Sequence, residues 1–188
     1  MRQLITRKGK FDFGHRVLNH RKDLNKCCNA HGHTALWELT LSFESQELEF
    51  GYIVDFGEIK RQFDGFVQEF LDHGWISNPL DSLLTYFQKE SLKCWVMSLN
   101  GGEDCNPSCE NICKELIYVS MKLFERYPKL RVYELKLYET ASSFVTSDLQ
   151  SLSAQEIANL DSNEIIQGKI REWISKNPVM EYDERKLS

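Results

Sequence analysis

Hydrophobic and polar positions alternate twice near the start of the chain. Phe11, Phe13, His15 and Val17 fall on one side of an extended segment, with Asp12, Gly14 and Arg16 on the other. His33, Ala35, Trp37, Leu39, Leu41 and Phe43 then alternate with Thr34, Leu36, Glu38, Thr40 and Ser42, which predicts a second, half-buried strand. A polar turn, Glu44-Ser45-Gln46-Glu47, leads into a short apolar strand, Phe50-Gly51-Tyr52-Ile53-Val54, that ends at Asp55. From there the period becomes helical. Ile59, Phe63, Phe66, Val67 and Phe70 form one stripe, Asp55 and Glu58 have capping-box spacing, and the helix stops at Asp72-His73-Gly74 with glycine in the C-terminal position. Asp81 is expected to cap a short helix through Leu83, Leu84 and Phe87, and Leu92 to Leu99 reads as an apolar strand closed by Asn100-Gly101-Gly102. A long helix follows, with Asn106 as N-cap and Pro107 at its first position, Ile112, Cys113, Leu116 and Leu123 inward, and Pro128 beyond its end. Tyr133, Leu135, Leu137 and Glu139 share one face of the next strand. The last forty residues read as helical and acidic, with capping boxes at Ser153…Glu156 and Asp161…Glu164 and an apolar stripe of Ile165, Ile166, Ile170, Trp173 and Ile174. They show no chemistry.

Composition narrows the class. The 188 residues, 41% apolar and 12% aromatic, suit one globular domain. No window approaches the run of about 18 apolar residues that a membrane span needs. The segment from Met1 to Lys8 lacks the apolar core of a signal peptide, so a cytoplasmic setting without disulfides is expected. The six cysteines form no CxxC pair, and Cys105, Cys109 and Cys113 recur at helical intervals, which favours buried thiols over a second metal site. A net charge of −5 argues against a nucleic-acid partner. Its distribution is uneven: residues 1–26 carry +6 and the remainder −11. A basic segment leading toward a metal site suits an anionic substrate such as a phosphate, although a solvated basic tail has the same charge.

The candidate chemistry centres on Cys27-Cys28-Asn29-Ala30-His31-Gly32-His33. Residues i and i+2 of a strand share a face at roughly 6.5–7 Å, so His31 and His33 can lean onto one ion or form a hydrogen-bonded surface pair. Zinc suits the first alternative, since imidazole binds it at about 2.0–2.1 Å and catalytic sites usually take three protein ligands. His15, on the apolar face of the first strand, is then the third ligand; otherwise it is a satisfied core histidine. Gly32 leaves the opposite face open to another backbone or a ligand, and His20 sits in a polar loop with no pattern to orient it. At the helix end, Asp72 and the helix dipole both favour an imidazolium at His73, which fits a proton carrier or a simple helix cap. Glu139 closes a buried face and needs a donor, from a ligand's N–H groups if it is not exposed at the strand end.

Taken together, Phe11-x-Phe13-x-His15, Cys27-x3-His31-Gly32-His33, Val54-Asp55-Phe56-Gly57-Glu58-Ile59-Lys60, Leu71-Asp72-His73, Asn106-Pro107-Ser108-x-Glu110-Asn111 and Tyr138-Glu139-Thr140 resemble the pyruvoyltetrahydropterin synthase and 6-carboxytetrahydropterin synthase family, over residues 10 to about 147. The resemblance implies an α+β tunnelling fold, with an antiparallel four-stranded sheet, helices on one face, and subunits joined into a barrel, such as a hexamer of two stacked trimers. It implies one zinc per chain on His15, His31 and His33, with Cys27 as catalytic thiol acting with Asp72 and His73. Glu139 becomes the carboxylate that anchors the pterin ring, with Ser108 and Glu110 as further substrate contacts. Sites in this family lie between subunits. The implied domains are a catalytic unit over 1–147, with an insertion at about 75–105, and a helical extension over 148–188.

The implied substrate is 7,8-dihydroneopterin triphosphate. The three-residue gap between Cys27 and His31 and the intact Val54-Asp55-Phe56 favour the branch that makes 6-carboxy-5,6,7,8-tetrahydropterin and acetaldehyde, a step toward 7-deazaguanines such as queuosine. The alternatives are the pyruvoyl branch and a tunnelling-fold protein that binds zinc and a pterin without turnover. The joint presence of Cys27, Asp72 and His73 speaks against a mere binder. Ser108 stands where threonine is usual and keeps the hydroxyl, while the insertion is placed to reshape the mouth of the pocket.

Overall fold

In the computed structural model, residues 1–19 and 26–179 are described, apart from the side chain of Glu103. His20, Arg21 and Lys22 therefore lie outside the described residues. Strands β1 (Arg2–His15) and β2 (His31–Glu44) pair antiparallel over their whole length, from Arg2 opposite Glu44 to His15 opposite His31. β1 starts well before Phe11 because its first half is held by the ladder to β2 more than by burial, and so leaves little hydrophobic signal. Val17 is outside the strand, and its N–H donates to the Cys27 carbonyl at 2.8 Å.

β5 (Arg131–Thr140) joins the far side of β2, and β6 (Ser143–Ser147) folds back on β5. β3 (Gly74–Ser77) and β4 (Cys94–Val96) extend the near side parallel to β1. The sheet is thus mixed and six-stranded, in the order β4-β3-β1-β2-β5-β6, where four antiparallel strands are predicted. The surplus strands are short. β6 is polar and mostly exposed, and a parallel pair needs a crossover, which helix α3 (Ser82–Lys89) supplies between β3 and β4.

On one face lie α1 (Phe56–Ile59), a π-helical turn (Lys60–Asp64) and α2 (Gly65–Phe70), which run on from one another, together with α4 (Cys109–Phe124). Trp37, Leu39, Leu41, Leu135 and Leu137 of the sheet pack there against Phe63, Phe66, Leu116 and Leu123 in one continuous core. The extension, α5 (Ala154–Ser162) and α6 (Glu164–Lys176), contributes Leu160, Ile166 and Ile170 to that core and sets Trp173 edge-on against Phe66 and Phe70.

Several predicted boundaries move for local reasons. Residues 50–54 form no strand: Phe50 and Gly51 take φ of 52° and 87° in a tight turn closed by Glu49 and Tyr52. Asp55 does cap its helix through the Gly57 N–H, but Glu58 turns inward to Arg61, Gln62 and Tyr127 and closes no capping box. At the end of α2 the left-handed residue is His73, with φ of 56°, and Gly74 already belongs to β3. Ser108, not Asn106, is the N-cap of α4, because the Asn106 amide is engaged with both the N–H and the carbonyl of Leu18. The Ser153 capping box is present, whereas α6 is capped by Asn163 and Asp161 turns to Tyr118 and Lys122. The strand predicted over 92–99 is confined to Cys94–Val96. Burial pushes the thiols of Cys105 and Cys113 up to about 11 and that of Cys109 to about 12, as expected of inert cysteines. Among the described residues, no helix is long and apolar enough to cross a membrane.

Candidate functional site

The ladder between β1 and β2 builds the site. Directly opposed residues of an antiparallel pair point to the same side, so His15 opposite His31 and Phe13 opposite His33 place three imidazoles on the helix-covered face. Their ring centroids lie 4.5–5.2 Å apart, and one ligating nitrogen from each falls within 4.8 Å of the others. An ion bound at about 2.0–2.1 Å needs nitrogens about 3.4 Å apart, a closure that small rotations of the rings supply.

Hydrogen bonds set the tautomers. The Pro107 carbonyl can only accept, so His15 donates from Nδ1 at 2.6 Å; likewise His31 donates from Nδ1 to the Asn29 carbonyl at 2.8 Å. Both Nε2 lone pairs are left unprotonated, the arrangement in which backbone carbonyls orient metal-binding histidines. The Nε2 atoms of His15 and His33 are buried with no hydrogen-bond partner, and an orphaned acceptor of that kind is expensive unless something binds it. Burial, reinforced by the neighbouring His31 and His33 and opposed by the Pro107 bond, lowers His15 to about 4, so its ring is neutral at physiological pH, the form that can ligate a metal. The residues present therefore fit a metal ion.

Glu139 completes this cluster. A β-bulge interrupts the pairing of β5 and β6 between Tyr138 and Thr140, and the half-buried Glu139 sets its Oε1 3.8 Å from His33 Nε2 and 4.0 Å from His15 Nε2. These separations are too long for hydrogen bonds, and the carboxylate is left available at the mouth of the cluster. Bulges commonly re-aim a side chain beside a site. Ser108 caps α4 through the Asn111 N–H, and Glu110 lies in the first turn of that helix.

Asp72 and His73 form a second cluster, on Asp12. Asp72 Oδ1 accepts from the Asp12 N–H at 2.8 Å and Oδ2 from His73 Nδ1 at 2.6 Å. Desolvation acts to raise the Asp72 carboxyl, but the Asp12 N–H, His73 and the Lys93 charge outweigh it and hold it below the usual range. Among the described residues His73 Nε2 has no partner, and the side chain is 76% exposed. Although Asp12, Asp72 and His73 are close enough to share an ion, these hydrogen bonds and that of Thr34 to Asp12 Oδ1 already use their facing atoms. The arrangement is a carboxylate orienting a base.

Cys27 lies in a 3₁₀ turn over 26–28, half-buried like its neighbour Cys28. The extended alternation that would send one thiol to the metal and the other away therefore does not apply, because side chains in such a turn diverge by about a third of a circle. The carboxylate of Asp81, fully shielded, grips the Arg16 guanidinium through two nitrogens and fixes the chain just past His15.

Gly32 leaves room for the β1 backbone, since a Cβ there would lie 3.1 Å from the Phe13 carbonyl oxygen. It lines a cleft of about 780 Å³ that runs at the sheet's end past His31, His33 and His73 to a wall of Trp75 and Phe87, whose rings stack at 5.0 Å. Asp12, the Pro107 carbonyl and this wall carry no sequence motif of their own. The apolar character of Trp75 and Phe87 is legible, but their meeting depends on the parallel strand.

A family model described as 6-pyruvoyl tetrahydropterin synthase matches residues 4–150. The 6-carboxy-5,6,7,8-tetrahydropterin synthase of Rickettsia bellii is 36% identical over 141 residues, covering 74% of this chain and 96% of that protein. The protein of the same name from Aquifex aeolicus is 27% identical over 158 residues, covering 76% and 96%. Among solved structures, an uncharacterized protein from Wolinella succinogenes aligns with a TM-score of 0.62 at 21% identity, over 79% of this chain and 99% of that one. The 6-pyruvoyl tetrahydropterin synthase of Plasmodium vivax aligns at 0.55 and 16% identity, over 78% and 97%. These likenesses identify the mixed sheet and its helices as the tunnelling fold. On the match over residues 4–150 and the Rickettsia relative, the chain belongs to the 6-pyruvoyl tetrahydropterin synthase family.

Proposed function

We propose that the protein converts 7,8-dihydroneopterin triphosphate and water to 6-carboxy-5,6,7,8-tetrahydropterin, acetaldehyde and triphosphate, a step toward 7-deazaguanines in the cytoplasm. The observation that carries this reading is the convergence of three imidazoles, with the buried Nε2 atoms of His15 and His33 unpartnered among the described residues beside Glu139. It is supported by the relatives named 6-carboxy-5,6,7,8-tetrahydropterin synthase. In this reading His15, His31 and His33 would hold zinc, which when bound would supply a Lewis acid to polarise the substrate's side-chain hydroxyl and acidify the adjacent C–H bonds. Glu139 accepts from two N–H groups of the pterin ring, with Ser108 and Glu110 of α4 as further contacts. The Cys27 thiolate and the free Nε2 of His73 exchange protons with the side chain, and Asp72 keeps His73 in the required orientation.

The thiol and the dyad that serve one substrate come from different copies of the chain, assembled as two stacked trimers. This fits the placement of the dyad around Asp12, whose side chain bonds Thr34 on the face away from the histidines. Residues 1–147 then form the catalytic unit and 148–188 an extension to it.

The protein as purified should hold about one zinc per chain. Elemental analysis of His31→Ala and His33→Ala should show most of it lost, and removal of zinc by a chelator should stop conversion until zinc is restored. Full zinc retention in both variants would remove these residues from the ligand set.

A further inference from the structure

The peptide that joins Asp72 to His73 is held at both poles. Its N–H donates to the Asp12 carbonyl at 2.7 Å, and its carbonyl accepts from the Lys93 ammonium at 2.7 Å. Lys93 also donates to the Gln68 carbonyl at 3.1 Å. One cation thus caps the last turn of α2, where carbonyls lack helical partners and the dipole is negative. The lysine stem runs along Gly74. A Cβ there would lie 3.3 Å from Lys93 Cγ and Cδ and 2.8 Å from the Leu71 carbonyl oxygen, so glycine is what allows turn and stem to coexist. The backbone of Lys93 is itself anchored, its carbonyl accepting from the Trp75 N–H at 3.0 Å. Between these supports His73 adopts its φ of 56°, a conformation disfavoured for a residue with a Cβ. Such strain persists only where the surroundings over-determine it. Among the described residues, three charged groups besides His73 face Asp72: the Asp12 carboxylate from β1, Asp64 from the π-helical turn, and Lys93.

We infer that Lys93 is a positioning residue that fixes the Asp72–His73 peptide, and with it the direction in which the free His73 Nε2 meets the substrate. The insertion at about 75–105 therefore supplies part of the proton-transfer apparatus as well as a wall of the cleft. The catalytic half of this inference rests on the function proposed above; the structural half does not.

Lys93→Met and Lys93→Arg in the full chain separate the two. In Lys93→Met, the His73 amide should exchange with deuterium about tenfold faster while core amides of β1 and β2 keep their protection, because one of its two anchors is gone. A misplacement well under 1 Å should lower kcat about tenfold and leave KM within about twofold, and Lys93→Arg should recover most of both losses. Unchanged His73 exchange in Lys93→Met overturns the inference, and so does unchanged kcat. If the unsubstituted protein does not turn over the pterin, the functional reading fails, and His73 exchange alone decides whether Lys93 holds the peptide.

Discussion

His15, His31 and His33 converge because two strands in antiparallel register bring every second residue to one side, and two backbone carbonyls bond Nδ1 of His15 and His31 and leave their Nε2 as the lone-pair nitrogen. The thiols beside them are less constrained, since both sit in one 3₁₀ turn. Cys27→Ala should abolish turnover and retain zinc, while Cys28→Ala should stay active; the opposite pattern, read by assay and elemental analysis, would exchange their roles. Glu139→Gln keeps the shape of the side chain but offers one donor and one acceptor where two N–H groups need acceptors. Loss of such a charged partner typically costs on the order of 2–5 kcal/mol, so substrate affinity by calorimetry should fall sharply while folding and zinc content hold. Unchanged affinity would place the ring elsewhere. At this scale the sequence shows which side chains face the site but not what orients them. The alternation alone carries His15 and Glu139 to the right faces, whereas the Pro107 carbonyl, the Asp12 N–H and Lys93 act through backbone contacts between distant segments, which leave no pattern in side-chain type.

At the scale of elements, helices are more legible than strand edges. The stripes of α2, α4 and α6 are visible because each buries one continuous face, while β3 and β4 are short parallel strands whose neighbours are far away in sequence. Caps shift where a side chain has a stronger tertiary partner: Asn106 joins Leu18 and leaves the cap to Ser108, and Glu58 joins Arg61 and Tyr127. One such partner ties the segment after β4 to the core. Glu115 of α4, fully buried, accepts from Trp95 Nε1 at 2.6 Å, from the Leu99 N–H at 3.0 Å and from the Ser98 N–H, while Asn159 and Asn163 of the extension grip Leu99 and Ser98 from the other side. Burial, only partly offset by these donors, raises its carboxyl from 4.5 to about 7. A folded-state value above the unfolded one means that the native state holds the proton longer, so this group's contribution to stability is present below about pH 4.5 and is lost as pH rises through about 7. Glu115→Gln should therefore flatten the fall in thermal midpoint between those values. A slope identical to that of the unsubstituted protein would assign the titration to another group.

At the scale of the molecule, the segment carrying β3 and β4 lengthens the sheet beside β1, and the helices α5 and α6 close over the same side of the core. The two segments touch each other through Leu99 and Ser98 and leave the histidine cluster in place. Their mutual docking leaves no pattern in the sequence, since it runs through Asn159, Asn163 and the Lys169 ammonium over the Trp95 ring. Both enzymatic outcomes start from the same substrate, so product identity decides more than any variant does. The direct measurement is incubation of the purified zinc protein with 7,8-dihydroneopterin triphosphate, with products identified by mass and acetaldehyde counted by a coupled alcohol dehydrogenase. The expected result is 6-carboxy-5,6,7,8-tetrahydropterin with an equal amount of acetaldehyde; 6-pyruvoyltetrahydropterin without acetaldehyde, or unaltered substrate, would contradict it.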